Sequence, residues 1–329
     1  MWDSVLGHEQ NKAFLQRYLQ AAERPHALLF CGAPGLGKKH LALQFAKTLL
    51  CLHMDGSDGC ESCRLLNFED GNFSHPDFIL VQPEEDSKNI KIEQIKELIR
   101  QAAFAPVLSQ NKACIIDGAD KMTADAANSF LKLLEEPPAG WVIILLAAAD
   151  TALLPTILSR VVKLRFNPVS ALQVEEALRQ RQIPSEEAAV LARISEGSVG
   201  MALTLAEQNL FECRRQVMAF LEALPLQGAF NYLAGFKMPD KEYGQAVLFV
   251  QVLQTVLRDM LLVKVGRQNG LYNGDLTGQL QELAGGWREQ ALEQALIAAN
   301  DAYKALNESA GVKLVLESMA LHIDSLRKE

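Results

Sequence analysis

Residues 32–39 read GAPGLGKK, and they lie between an apolar run, Ala27–Cys31, and an amphipathic segment, Lys38–Leu50. A strand, a glycine-rich loop and a helix in this order are typical of a phosphate-binding loop. Backbone N–H groups of such a loop surround phosphate oxygens, and the helix N-terminus adds a positive potential. The stretch therefore predicts a nucleotide-binding α/β fold. The predicted phosphate site consists of Gly32, Pro34, Gly35, Gly37 and Lys38.

The loop lacks the residue that should bind Mg²⁺. The motif normally ends in Ser or Thr, whose hydroxyl is a metal ligand, but here this position is Lys39. An ammonium group has no lone pair for a metal, and two unit charges about 4 Å apart repel by roughly 4 kcal/mol at an effective dielectric of 20. We therefore predict a degenerate loop that hydrolyses nucleotide poorly, while nucleotide binding without turnover stays open.

Two further apolar runs bear on the same chemistry. Asp117 ends the run at residues 112–117 (KACIID), where nucleotide-binding sheets place an acid that holds Mg²⁺ through water. The residue that follows is often a Glu that activates the attacking water, and here it is Gly118. The uninterrupted run Trp141–Ala149 predicts a central, buried strand. It ends in alanines, whereas ATPases of this type place a polar γ-phosphate sensor there.

Three cysteines indicate a metal site in an insert at residues 51–76. Cys51, Cys60 and Cys63 have the spacing C-x8-C-x2-C, and a C-x2-C pair is typical of structural zinc sites. The next position at this spacing is Leu66, so the fourth ligand is undetermined, with His53 or His75 as the alternatives. Zinc bound by the insert and three ordinary thiols both remain open.

Charge and hydropathy exclude several classes of protein. The chain has 40 acidic and 32 basic residues, and both halves are mildly acidic, which argues against a zinc-containing module that binds nucleic acid by itself. Residues 1–12 lack the apolar centre of a signal peptide. The apolar run 246–265 is interrupted by Gln251, Gln254, Arg258 and Asp259, which argues against a membrane-spanning segment. We therefore expect a cytoplasmic protein without a membrane segment, whose cysteines are thiols or metal ligands rather than disulfides.

The order of predicted elements divides the chain into three domains. Strands alternate with helices over residues 1–166, which predicts a parallel α/β sheet domain. Three short helices at residues 167–208 predict a small helical domain. Helical patterns then continue over residues 209–329, one of them at residues 228–236, and predict an all-α domain.

Several motifs together resemble the clamp-loader ATPase family of bacterial DNA polymerase III. In chain order they are GAPGLGKK (32–39), the cysteine insert, KACIIDGADKMT (112–123), NSFLKLLEEPP (128–138) and LLPTILSRV (153–161). The resemblance covers residues 1–166 and continues in GSVGMAL (197–203) and VKLVLE (312–317). It implies an AAA+ fold with a P-loop sheet domain, a three-helix lid domain and a C-terminal helical collar that joins subunits.

Four departures from the motor subunits of this family fall on one chemistry. Lys39 replaces the metal-binding hydroxyl, Gly118 replaces the catalytic Glu, and the strand end at residues 147–149 lacks a sensor. Gly200 stands where the GSxR motif of the motor carries a nucleotide-gripping arginine. The departures favour a non-hydrolysing stator subunit of the loader, which acts in loading the sliding clamp during replication. An active ATP-hydrolysing motor of the gamma/tau type is the alternative.

The resemblance also implies partners and a role for Ser159-Arg160. An arginine after a short helix usually forms a surface ion pair of little energetic value, but in this family the corresponding SRC motif is an arginine finger that acts in trans. The resemblance thus implies that Arg160, together with Ser159, points at the γ-phosphate of nucleotide that a neighbouring gamma/tau subunit holds. It further implies a hetero-pentameric ring that includes delta and that acts on the clamp and on primed DNA.

Overall fold

A computed structural model describes residues 2, 5–68, 72–84, 87–224, 243–308 and 310–328. These residues form two compact units. The first unit contains residues 1–173 and 197–200, and the second contains residues 174–196 and 201–329. The boundaries expected at residues 166 and 208 divide the chain differently, and the three-domain division stays a prediction.

A parallel sheet forms the centre of the first unit. The described strands are β1 (Ala27–Cys31), β2 (Leu66–Asn67), β3 (Asn72–Phe73), β4 (Phe78–Val81), β5 (Lys112–Asp117), β6 (Trp141–Ala147) and β7 (Val162–Arg165). Five of them pair in parallel in the order β4-β5-β6-β1-β7, and β2 and β3 form a separate antiparallel pair. The predicted parallel α/β fold is confirmed, with β6 at the centre and every residue of β6 buried.

Helices pack on both faces of this sheet. The helices of the first unit before β7 are α1 (Glu9–Gln20), α2 (Lys38–Leu50), α3 (Glu61–Leu65), α4 (Ile92–Ala102), α5 (Ala124–Glu135) and α6 (Pro155–Leu158), and α3 packs on α2 rather than on the sheet. Successive side chains of a strand point to opposite faces. Leu28 and Phe30 therefore belong to the buried cluster that contains α1 and α2, whereas Leu29 belongs to the cluster that contains α4 and α5. Apolar residues on both faces explain why the strands are continuous apolar runs in the sequence.

Two predicted elements end or begin elsewhere in the structure. The strand expected to reach Ala149 ends at Ala147, because the N–H of Ala148 donates to Oδ2 of Asp120 at 3.2 Å instead of continuing the ladder. The helix expected from Lys121 begins at Ala124, because the Thr123 side chain caps it by accepting from the N–H of Ala126. The capping residue Thr123 thus marks the start of this helix more accurately than the hydrophobic pattern alone does.

The cysteine insert is more ordered than the irregular segment expected at residues 51–76. It contains α3 and the antiparallel pair of β2 and β3. Leu66, at the end of α3, is fully buried in the core cluster next to α2. The insert is therefore anchored to the first unit by its apolar residues.

Helices make up the described part of the chain after the sheet. They are α7 (Ala171–Gln180), α8 (Ser185–Ile194), α9 (Val199–Glu207), α10 (Leu210–Glu222), and the helices Tyr243–Lys264, Thr277–Gly285, Glu289–Asn307 and Val312–Lys328. The predicted all-α C-terminal region is confirmed by this succession of helices. The helix predicted at residues 228–236 lies outside the described residues.

The helix Tyr243–Lys264 is long and apolar enough to cross a membrane, the one such helix within the described ranges, and 56% of its most apolar window is buried. It packs against the helix Glu289–Asn307. Its fully buried Asp259 accepts hydrogen bonds from the backbone N–H groups of Tyr272 and Asn273 at 3.2 and 2.7 Å. These contacts identify it as the core helix of the second unit.

Candidate functional site

The phosphate-binding loop connects β1 to α2 at the carboxyl end of the sheet. Gly37, the residue that precedes α2, has a φ of 84°, a left-handed conformation that favours glycine. A Cβ atom on Gly32 would lie 2.3 Å from the carbonyl oxygen of Phe166, so glycine is required there as well. His8 supports the loop, because its Nε2 lies 2.9 Å from the carbonyl oxygen of Leu36. The loop that the sequence predicts is therefore formed and held by its neighbours.

His8 makes the stability of this loop depend on pH. Burial lowers the pKa of its imidazole from the ordinary value of 6.5, although the hydrogen bond to Leu36 raises it. A lowered histidine pKa gives stability that is present above pH 6.5 and lost as the pH falls through the folded-state value, because the unfolded chain binds more protons.

We expect the free energy of unfolding to fall as the pH decreases below about 7.5, and His8→Asn to reduce that fall. Asn keeps a hydrogen-bond donor and tolerates the left-handed φ of 59° at this position. Chemical denaturation of both proteins at several pH values measures the difference. Equal pH slopes for the two proteins would contradict this role of His8.

Lys38 closes the loop on itself. Its ammonium donates hydrogen bonds to the carbonyl oxygens of Gly32 and Ala33, the second at 2.7 Å. Burial lowers the pKa of this ammonium, while Cys31, Asp120 and Asp117 act in the opposite direction. The lysine that the sequence predicts to reach phosphate is thus satisfied by the loop's own backbone.

Lys39 joins the start of α2 to the end of β5. Its Nζ lies 2.8 Å from Oδ2 of Asp117 and 3.1 Å from Oε1 of Gln82. The ammonium therefore pairs with the carboxylate that the sequence predicts as a Mg²⁺ contact. An active loop would use a hydroxyl at this helix position and a metal ion to make the same connection. The structure brings the two predicted positions together, and the positive charge that connects them is that of Lys39 itself.

The positions of the missing base and the missing arginine are both occupied by glycine for reasons the structure gives. Gly118 has a φ of 90°, so a glutamate at this position would be strained. The N–H of Gly200 donates to the carbonyl oxygen of Gly35 at 3.0 Å. A Cβ atom on Gly200 would lie 2.9 Å from the Cα and O atoms of Gly35. The backbone of Gly200 therefore lies directly against the phosphate-binding loop. Position 200 is the one at which a motor subunit would carry an arginine.

The strand end that lacks a sensor carries an ion pair instead. Asp150, the first polar residue after β6, accepts a hydrogen bond from Lys163. This bond is the main cause that lowers the pKa of Asp150, and Arg165 contributes at a distance of 4.0 Å. Asp150 is therefore paired with β7, the edge strand on the far side of β1.

Arg160 follows α6 and is partly exposed, with 35% of its side chain accessible. Its Nη2 donates to Oε1 of Glu135 at 2.9 Å, and its Nη1 donates to the carbonyl oxygen of Thr156 at 2.8 Å and to Oγ of Ser159 at 3.2 Å. Ser159 also donates to Thr156, at 3.0 Å. The predicted pair Ser159-Arg160 thus forms one network with the C-terminal end of α5.

The three predicted cysteines lie together with a carboxylate that the spacing did not indicate. The ligand atoms of Cys51, Asp58, Cys60 and Cys63 all lie within 4.8 Å of one another. Burial raises the pKa of the Cys51 thiol, but backbone N–H groups of the surrounding loop more than offset this, and its pKa lies below the ordinary value. A cluster of three sulfurs and one carboxylate oxygen can hold a metal ion.

The two histidines considered as fourth ligands have other partners. Nδ1 of His53 contacts Oδ2 of Asp58. His75 is buried, and its Nε2 lies 2.8 Å from Oγ of Ser62, while its Nδ1 accepts from the N–H of Asp77 at 3.0 Å. The structure therefore places Asp58, rather than either histidine, beside the thiols.

Comparison with known proteins adds the family to this geometry. Residues 7–170 match the family model for DNA polymerase III, delta subunit, and residues 208–324 match the model for its C-terminal part. The chain is 34% identical over 301 residues to the DNA polymerase III subunit delta' of Bacillus subtilis, with 90% of each chain covered. The chain belongs to the DNA polymerase III delta-prime family.

Two further relatives and one solved structure are similar to this chain. The delta' subunit of Escherichia coli is 29% identical over 268 residues, with 80% of this chain and 78% of that protein covered. The tau/gamma subunit of Haemophilus influenzae is 34% identical over 223 residues, which are 65% of this chain but 31% of that protein. A gamma-subunit-related protein of Thermotoga maritima shares the fold, with a TM-score of 0.53 and 18% identity over 95% of this chain and 99% of that one. The predicted clamp-loader family is confirmed, and the delta' relatives of Bacillus subtilis and Escherichia coli match this chain over more of its length than the tau/gamma relative does.

Proposed function

We propose that this delta-prime chain does not hydrolyse ATP itself and that it supplies Arg160 to nucleotide held by a neighbouring clamp-loader subunit. The observation that carries the first part is the 2.8 Å contact between Lys39 and Asp117. Mg²⁺ requires oxygen ligands and near-ideal octahedral geometry. A Mg–nucleotide complex could use Asp117 only after displacing a positive charge that belongs to the protein, and Gly118 offers no base to activate water.

The second part of the proposal rests on the chemistry and the position of Arg160. A guanidinium is planar and permanently charged, and its fork of N–H donors matches phosphate oxygens. The side chain is partly exposed, so a phosphate on another chain can reach it. Glu135 and the carbonyl oxygen of Thr156 hold the group in place without burying it. Such a group suits a finger that acts across an interface.

The proposed partners follow from family membership. We place the chain beside a gamma/tau motor subunit and near delta, in a hetero-pentameric ring that loads the sliding clamp on primed DNA in the cytoplasm. Residues 1–166 would act as the nucleotide-binding-like domain, residues 167–208 as the lid, and residues 209–329 as the collar. The two family matches, at residues 7–170 and 208–324, support this placement.

We also propose that the cysteine insert holds a structural zinc ion. Thiolates of Cys51, Cys60 and Cys63 are the ligands that such sites prefer. The ion would tie the end of α2 to the start of α3, two helices that pack on each other. Four ligand atoms within 4.8 Å of one another would complete a tetrahedral site and leave no open position for a substrate, which agrees with a stabilising rather than a catalytic metal.

Exchanging Lys39 tests the non-hydrolysing part of this function. Lys39→Thr removes the ammonium, frees Asp117 and supplies the hydroxyl that a P-loop normally has. We expect Mg²⁺-dependent ATP binding to strengthen by at least about tenfold, or 1.4 kcal/mol, with no turnover by the isolated chain because position 118 stays glycine. Calorimetric titration with and without Mg²⁺ measures binding, and phosphate release measures turnover.

Lys39→Met is the matched control, because it removes the charge without adding a metal ligand. It should strengthen binding less than Lys39→Thr does. Turnover by the wild-type chain alone at about 1 s⁻¹, abolished by Lys38→Ala, would favour the motor alternative and overturn the proposal.

A further inference from the structure

We infer that Asp58 is the fourth ligand of the metal site in the cysteine insert and that His53 orients its carboxylate. This inference rests on the proposal that the insert holds zinc. Cys51, Cys60 and Cys63 supply three ligands, and a structural zinc site requires four. At the C-x2 spacing that would supply the next thiolate, the chain has Leu66, whose side chain is fully buried in the core and has no lone pair.

Three of the distances between the ligand atoms match a tetrahedral site with one oxygen. Zinc–sulfur bonds of about 2.3 Å place two sulfurs about 3.8 Å apart, and a zinc–oxygen bond of about 2.0 Å places the oxygen about 3.5 Å from each sulfur. In the structure the sulfurs of Cys51 and Cys60 are 3.8 Å apart. Oδ1 of Asp58 lies 3.4 Å from the sulfur of Cys51 and 3.4 Å from that of Cys63. The carboxylate oxygen therefore stands at the fourth corner.

The two oxygens of Asp58 have different surroundings. Oδ1 faces the thiols and accepts from the N–H of Cys60 at 3.1 Å, whereas Oδ2 contacts Nδ1 of His53. His53 is exposed, with 71% of its side chain accessible, and its ring nitrogen is turned to Asp58. A ligand whose second polar atom is held by a neighbouring side chain is oriented for binding. His53 is thus a positioning residue and not a ligand.

The charge of the ligand set supports the same assignment. Three thiolates and one carboxylate carry the same total charge as the four thiolates of a Cys₄ site, and carboxylate oxygens are established zinc ligands. Asp58 is the seventh of the eight residues between Cys51 and Cys60, so a metal bound by all three side chains would close this loop. Asp58 therefore replaces a fourth cysteine without a change in charge.

The test uses the full chain and zinc alone. Zinc content after dialysis, zinc affinity by chelator competition, and the zinc X-ray absorption spectrum are measured for wild type, Asp58→Ala, His53→Ala and Asp55→Ala. We expect one zinc per chain with three sulfurs and one oxygen. Asp58→Ala should weaken binding by at least about 100-fold, and His53→Ala by about tenfold, within the range for a residue that orients a ligand.

Asp55→Ala is the matched control, since Asp55 lies in the same loop and accepts from Ser57 rather than facing the thiols. It should leave zinc affinity unchanged. Wild-type affinity in Asp58→Ala, or an imidazole signature in the wild-type spectrum that His53→Ala removes, would overturn the assignment of Asp58 while leaving the zinc proposal standing. Wild-type chain that retains no zinc would overturn both.

Discussion

Replacing Arg160 with alanine is expected to lower ATP hydrolysis at the neighbouring subunit's phosphate site by about 10³-fold or more, because arginine fingers contribute on the order of 10³–10⁵ in rate. The guanidinium makes hydrogen bonds to Glu135, Thr156 and Ser159 on its own chain. These surface contacts contribute little to folding, so the variant should fold and assemble. ATP hydrolysis by the reconstituted complex with clamp and primed DNA is the measurement.

Two variants separate the finger from a general loss of charge. Arg160→Lys keeps the charge but loses the planar fork of donors, so it should recover only a small part of the rate. Arg100→Ala removes an exposed arginine that pairs with Glu97 on α4 and should leave the rate unchanged. Full hydrolysis by an assembled complex that contains Arg160→Ala would refute a role in trans.

Asp259→Ala should be the most destabilising single change in the second unit, by about 3–5 kcal/mol. The carboxylate is fully buried and accepts from two backbone N–H groups, from Nδ2 of Asn273 at 2.9 Å and from Arg258 at 2.9 Å. Removing it takes the acceptor from the buried backbone N–H of Asn273 and leaves Nδ2 of Asn273 with only Oγ1 of Thr255, at 3.4 Å, which costs more than the hydrogen bonds are worth in net terms. Urea denaturation followed by circular dichroism measures the loss.

Asp301→Ala is the surface comparison for this experiment. Asp301 is 65% exposed, and its contact with Lys304 is 3.6 Å long. Its removal should change the free energy of unfolding by no more than about 0.5 kcal/mol. A loss below about 1 kcal/mol for Asp259→Ala would mean that water or a rearranged backbone satisfies the donors of Asn273.

The sheet of the first unit could be predicted because its central strands β1 and β6 are uniform apolar runs and the loop at Gly32 follows β1. Element ends were harder to predict. The end of β6 depends on Asp120, a residue 28 positions earlier that captures the N–H of Ala148. The start of α5 depends on one side-chain cap, Thr123, rather than on periodicity. Both signals are single hydrogen bonds, and hydrophobic patterns do not report them.

Most residues of the site could be identified from the sequence, but most of the contacts between them could not. Lys39 and Asp117 were each identified, and the carboxyl ends of parallel strands meet at one edge of a sheet, so their contact follows from the fold. Gln82, the second partner of Lys39, follows β4 and belongs to no motif, so its contact with Lys39 could not be predicted. Asp58 was missed because a carboxylate ligand has no characteristic spacing, whereas cysteines do. Glu135 belongs to the motif NSFLKLLEEPP, but its hydrogen bond with Arg160 is visible only in the structure.

The contact between Lys39 and Asp117 has a consequence for what this subunit can sense. Both groups belong to one chain and are partly exposed, with 44% and 32% of their side chains accessible, so salt concentration weakens their attraction. The pair is made by two side chains of the chain itself. Under the proposed function this connection between helix and sheet does not depend on nucleotide turnover, so ionic strength, rather than the balance of ATP to ADP, is expected to regulate it.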